Sequence, residues 1–224
     1  MKKLGTAVIQ ISLLVLQSLL VFGCVSGRFP EVSDDGLVKI AQTRFDVVYE
    51  ASDFDLRAFR ELVVDECAVR FRDNWQRDQN RERGPAGLVT AEHMQQIEQR
   101  LAASCREIFE KGLEDVAVSG REASGVPRIL SVRPAIIDLD IAAPDVPSAG
   151  RQTNYTANPV RMTLRLELVD SATGATVGRV IDHRRAEETM VPRQTSSVGN
   201  LADAERILRQ WAALVREQLE AAAD

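Results

Sequence analysis

The chain reads as an α+β protein: a two-layer α/β sandwich with a mixed, mostly antiparallel sheet and two main helices packed on one face. Three observations predict this. Val160, Met162, Leu164, Leu166 and Leu168 alternate with Arg161, Thr163, Arg165 and Glu167, the period of a strand with one wet face. Two stretches instead space their apolar residues by three and four: Met94, Ile97, Leu101, Cys105 and Ile108, then Ala204, Ile207, Leu208, Trp211, Leu214, Val215 and Leu219. Finally, a strand–helix–strand order precedes the alternating strand, which calls for a right-handed parallel crossover. Helices with such stripes need a sheet face to bury them, and the alternating strand supplies one.

The elements follow in chain order. Glu61 to Phe71 is rich in β-formers and reads as one strong strand. A polar loop, Arg72 to Gly87, carries Trp75 and leads to Thr90, a good helix N-cap, with Val89 and Met94 as a staple pair. The helix that follows should end at Lys111-Gly112, with a cation in its last turn and Gly just beyond it. A short strand is expected at Val116 to Ser119. Ile129 to Ile141 is a long strand whose apolar phase flips at Ile136-Ile137, as an inserted bulge residue would cause. Pro144 to Pro159 is a loop. Asp170-Ser171-Ala172-Thr173-Gly174 turns the chain so that Thr176 to His183 returns as a hairpin partner. After a second polar loop, Glu187 to Gly199, Asn200 should cap the last helix with Asp203 at its third position, and Trp211 should anchor the core.

Upstream of all this, Lys2 and Lys3 precede a largely apolar run, Leu4 to Phe22, which ends in Gly23-Cys24. This resembles a bacterial lipoprotein signal, although Phe22 stands where a smaller residue is usual. The resemblance implies cleavage after residue 23 and a diacylglyceryl group and an acyl chain such as palmitate on Cys24. It divides the chain into signal 1–23, lipidated tether 24–42 and a single domain 43–224. Leu37-Val38-Lys39-Ile40 is apolar enough for part of the tether to dock. Val25 and Ser26 lack the aspartate that retains such proteins in the inner membrane, so the expected address is the periplasmic side of the outer membrane. The alternatives are the inner membrane, an uncleaved membrane helix or an ordinary secretory signal.

Composition excludes several functions. With 28 cations against 33 acids the net charge is −5, and removing the signal takes two lysines and no acid. An acidic body without a basic patch argues against a nucleic-acid partner. The expected partners are the membrane, through the lipid, and an envelope protein or cell-wall component. With Cys24 acylated, Cys67 and Cys105 remain. They either pair in an oxidising compartment or fill the core as small hydrophobes, the second being the default reading.

The first strand ending in Phe71 with Trp75 beyond it, the loop to Thr90, and Asp138 in the long strand form one set of markers. Glu167 to Gly174 and Arg209-Gln210-Trp211-Ala212 form another. On these residues the chain resembles the bacterial lipoproteins of the domain of unknown function 3313 family, from about Asp35 to the last helix. The resemblance implies no chemical role for any of them.

The chemistry itself is sparse. His93 and His183 are the only histidines and lack further ligands at metal spacing, so no metal or other cofactor is expected. Neither a G-x-S-x-G elbow nor a phosphate loop is present. Asp138 and Asp140 could project from one strand face as an acid–base pair, the basis of an alternative reading as a periplasmic hydrolase. Against that stands a charge ladder with Arg133, Arg161, Arg165 or Arg179 on neighbouring strands. Trp75 either contacts a partner or folds under its loop. The favoured reading is therefore a non-enzymatic binding or accessory module, with Trp75, Asp138 and Asp140 as candidate contacts. An accessory role in envelope transport is a further alternative.

Overall fold

The computed structural model describes residues 29–41, 43–81, 83–116, 118, 128–141, 155–156, 160–186, 193–194 and 196–223. The signal and Cys24 lie outside them, as does most of the two expected loops at 144–159 and 187–199. Glu31–Asp224 forms one unit, built around a seven-stranded sheet. Its strands are β1 (Val38–Ile40), β2 (Val47–Glu50), β3 (Glu61–Val64), β4 (Ala68–Phe71), β5 (Ile129–Ile141), β7 (Val160–Asp170) and β8 (Thr176–Arg185). The spatial order is β1-β2-β8-β7-β5-β3, with β4 also paired to β5. Only β3 and β4 run parallel to their neighbour; the other pairings are antiparallel. A two-stranded ribbon, β6 (Tyr155–Thr156) with β9 (Arg193–Gln194), stands apart.

Parallel pairing of β3 and β5 cannot be closed by a tight turn, so the chain must cross over. The crossover carries α1 (Trp75–Asn80) and the long helix α2 (Ala91–Leu113). The final helix, α3 (Ser197–Ala223), lies beside α2. Leu101, Cys105 and Phe109 of α2 and Ile207, Leu208, Trp211 and Val215 of α3 share one core with Leu130, Val132, Ile136, Leu164 and Leu166 of the sheet. The two-layer sandwich is thus the observed fold.

Several elements differ from expectation for physical reasons. The first strand is broken at Asp65-Glu66-Cys67, because three residues there span what two residues span on β5. No strand is described at 116–119: Val116 and Val118 are outside any strand, and residues 117 and 119 lie outside the described set. The partner that completes the crossover is β5 itself. Part of the expected tether is a strand, since β1 pairs with β2 at the sheet's far edge.

The helix ends also move. Thr90 caps α2 as expected, its hydroxyl accepting from His93 N–H, and His93 Nδ1 accepts in return from Thr90 N–H. Gly112, however, lies inside α2 and does not terminate it. A Cβ there would stand 2.8 Å from Ala212 Cβ, so the glycine is what lets the two helices approach. In α3 the capping hydroxyl is that of Ser196, which accepts from Gly199 N–H at 3.1 Å. Asn200 and Asp203 are buried one turn further in. The bulge of β5 is present, with its register shift between Ile137 and Asp140. Asp138 takes the left-handed conformation, φ 55°, where aspartate is among the few tolerated side chains. The bulge turns Leu139 and Ile141 into the core after Leu130, Val132 and Ile136 have used the other phase.

Candidate functional site

The sheet face opposite the helices carries a charge ladder made of separate clusters of ion pairs. Glu167 on β7 accepts from Arg165 on its own strand at 2.8 Å and from Arg179 on β8 at 3.1 Å. Arg179 also grips Asp35, just before β1, through both terminal nitrogens. Its guanidinium, together with the Ser33 hydroxyl, holds the Asp35 carboxyl down at about 2. On β5, Arg133 donates to Asp65 at 2.8 Å, and Ser131 donates to the same oxygen. Burial pushes Asp65 up, but these two donors win and leave it below the usual carboxylate range. At the bulge, Asp140 is shared by Arg161 at 2.9 Å and Arg72 at 3.2 Å, and Arg72 holds Asp78 as well. These are charge-assisted bonds in which each carboxylate takes at least two donors, which fixes the positions of their side chains.

Beside this ladder the sheet has an open edge. Among the described residues no strand pairs with the outer side of β3 or β4. A groove runs along them, lined by Val63, Ala135 and Ile137 and by charged residues of both signs, Arg70, Arg106 and Arg133 beside Asp65, Glu66 and Glu167. The break at residues 65–67 is what opens this groove between strand edge and helix. Val63 is 37% exposed, one of few large apolar side chains left in water. An unpaired edge with apolar side chains is a template for another chain, and proteins usually blunt such edges.

The predicted site residues fare unevenly. Cys24 lies outside the described residues. Cys67 sits in the strand break and Cys105 on α2; their sulfurs are bonded at 2.00 Å, against the default reading of two separate thiols. Trp75 is no partner contact. It is 1% exposed, stacks on Phe71 with ring centroids 4.1 Å apart, and donates from Nε1 to the Ile141 carbonyl. Asp138 is exposed as the bulge residue, whereas Asp140 is committed to two arginines. The structure therefore does not present them as a free pair of acids, and the ladder reading is the one the geometry fits. Val63, Arg70 and Arg106 were not anticipated. Their only trace in the sequence is Val63, an apolar residue on the side of its strand opposite the core, and that trace depends on knowing where the strand breaks.

The remaining markers of family resemblance have structural explanations. Asp170 is buried at the end of β7, accepts from Ala172 N–H and Thr173 Oγ1, and binds Arg128. Burial pushes its carboxyl up, but these donors outweigh it and leave the group below the usual carboxylate range. Gly174 takes φ 73° to close the hairpin. Trp211 Nε1 donates to Asp182 Oδ2 at 2.7 Å, which also accepts from Arg184, while Asp182 Oδ1 accepts from Asp46 N–H. One buried carboxylate thus ties α3 to β8 and to the start of β2. Among the described residues no group of three or more potential metal ligands occurs, and no helix is long and apolar enough to cross a membrane.

Comparison with known proteins gives a family and distant structural likenesses. No curated protein matches the chain. Among solved structures, the chain is similar to a PelC dodecamer from Paraburkholderia phytofirmans, with 13% identity and a TM-score of 0.33 over 75% of this chain and 96% of that one. It is similar to a candidate lipoprotein from Caulobacter crescentus CB15, at 19% identity and a TM-score of 0.30 over 55% of this chain and 82% of that one. A third likeness, at 14% identity and a TM-score of 0.31, is to protein XCC0632 from Xanthomonas campestris, covering 77% of this chain and 93% of that one. The model of a family described as protein of unknown function (DUF3313) matches residues 32–215, all of α2 and most of α3 included, and the chain belongs to that family.

Proposed function

We propose that this protein is a lipid-anchored module of the bacterial envelope, held through Cys24 at the periplasmic side of the outer membrane. It works by binding a partner protein, without catalysis of its own. The observation that carries the binding role is the open β3–β4 edge, with apolar residues exposed among charges of both signs. Such an edge suits an extended segment of another protein, which would add main-chain hydrogen bonds to the sheet while alternate side chains meet Val63 on the wet face. The anchor reading is supported by Gly23-Cys24 at the end of the apolar run and by Val25 and Ser26 after it. Several acyl chains at about 0.8 kcal/mol per buried methylene hold a protein permanently at a bilayer. The commitment of Asp140 to Arg72 and Arg161 favours binding over hydrolysis at the bulge.

The test has two parts. Labelling with palmitate should reach the wild-type chain and vanish in Cys24→Ala, and the labelled protein should fractionate with the outer membrane. A pull-down of the anchored protein from membranes should recover a partner that Arg133→Glu loses. Labelling that never occurs would replace the lipid by an uncleaved helix. A partner set unchanged by Arg133→Glu would remove the edge as its site.

A further inference from the structure

On the opposite, helix-bearing side of the sheet a small cavity opens where α2 and α3 begin and β5 ends. Its walls are apolar: Ile97 and Leu101 of α2, Leu139 and Ile141 of β5, and Leu201 and Ala204 of α3. Its volume is about 80 Å³. The β5 bulge makes the cavity, because it is the phase change at Asp138 that turns Leu139 and Ile141 toward the helices. The rim is polar and lopsided in charge. His93 and Arg100 line it together with Gln96, Ser197 and Asn200, and among the described residues no carboxylate does.

Arg100 differs from the arginines of the wet face. Arg72, Arg133, Arg161, Arg165 and Arg179 each hold a carboxylate. Arg100 donates only from Nε, to the Gln96 carbonyl in its own helix, and the rest of its guanidinium has no acid within reach among the described residues. His93 adds a second donor. Its Nδ1 accepts from Thr90 N–H, so the neutral ring carries its proton on Nε2. A carboxylate or phosphate at the rim would thus meet two N–H donors, and the first turns of both helices favour the same sign of charge.

We infer that this cavity binds a single-chain anionic amphiphile, its alkyl end lying between Ile97, Leu139 and Leu201 and its anionic head on Arg100 and His93. Fatty carboxylates and lysophospholipid phosphates share this chemistry. An apolar cavity of this size admits only the last few carbons of a chain; the rest would lie along the rim. The inference does not depend on the β3–β4 edge, whose groove shares no lining residue with this cavity.

Photo-crosslinking on the full-length chain in a non-ionic detergent tests it. The probes are a dodecanoate and a lauroyl lysophosphatidate with a diazirine at the tail end, and a dodecyl trimethylammonium of the same design. Both anionic probes should label peptides containing Ile97, Leu139 or Leu201, competed by unlabelled dodecanoate. Arg100→Glu, on the surface of α2, should cut labelling about ten-fold or more, the scale of a lost charge-assisted bond. Filling the cavity with Ala204→Phe should abolish it in protein whose unfolding transition remains cooperative. Preference for one anionic probe identifies the headgroup. Labelling scattered over the surface, equal labelling by the cationic probe, or labelling indifferent to Arg100→Glu would each overturn the inference.

Discussion

The two faces of the sheet use charge in opposite ways. Between the sheet and the helices, Asp182 is a buried charge that serves as a fixed tie within the core. Asp182 receives Trp211, Arg184 and the Asp46 N–H in one place. On the wet side charges are many, largely in water, and shared in ladders such as Arg165–Glu167–Arg179–Asp35. A buried donor or acceptor left without its partner costs its full desolvation, about 1–3 kcal/mol, whereas an exposed ion pair is worth about 0–1 kcal/mol. The helix side should therefore break at single substitutions and the wet side should tolerate them, which leaves the wet side free to serve a partner.

The largest effect should come from Trp211→Ala. It empties a fully buried site and strands Asp182, so unfolding in urea should show a loss of about 3–5 kcal/mol, or no folded protein at all. A Trp211→Phe variant, which keeps most of the volume, should lose only the hydrogen-bond share. Next comes the disulfide, which ties the strand break to α2 across 38 residues of chain. Closing a loop of that length is worth about 4 kcal/mol in the chain-entropy account, so Cys105→Ser should lower the unfolding free energy by about 2–4 kcal/mol. Reductant should lower the wild type toward the same value and leave the variant unmoved.

A smaller effect is expected at the helix contact. Gly112→Ala gains about 1 kcal/mol of helix propensity but forces its methyl onto Ala212, an overpacking cost of about 1–3 kcal/mol. The net should be a modest destabilisation that Ala212→Gly reverses, a reversal that thermal unfolding of the double variant would show. The smallest effect belongs to the wet face. Asp35 has its folded value depressed from 3.8 to about 2 by Arg179 and Ser33. A depressed carboxyl stabilises the fold above its unfolded value and loses that contribution as pH falls through its folded one. The window is therefore between about pH 4 and about pH 2, and half-exposure keeps the amount small. Hydrogen exchange should show the β1 amides losing protection in that window, and Asp35→Asn should remove that local change while Asp65 and Asp170 keep their own pH dependence.

The contrast also explains what the sequence could and could not show. Alternation in β7 and the three-and-four spacing of α2 and α3 are set by burial on one side, and burial writes itself into every second or every third and fourth residue. The bulge was legible for the same reason, because an extra residue in β5 shifts which positions are buried. Gly112 was misread because a glycine near a helix end looks alike whether it stops the helix or lets another helix approach. The break in the first strand was invisible, since Asp65, Glu66 and Cys67 interrupt neither composition nor length. With the break went the groove: its residues come from β3, β4, β5 and α2, and only register brings them together. Trp75 in a loop of charges was ambiguous for want of its partner, the Ile141 carbonyl, sixty-six residues away.

The most direct test of a wet face kept free for a partner is a photoreactive side chain placed at Val63 in the full-length chain, compared in cells with the same side chain at the exposed helix position Gln99. A discrete adduct at Val63, absent at Gln99 and diminished by Arg133→Glu, is the predicted result. Equal adducts at both positions, or none at Val63 while the Gln99 probe captures one, would contradict the account.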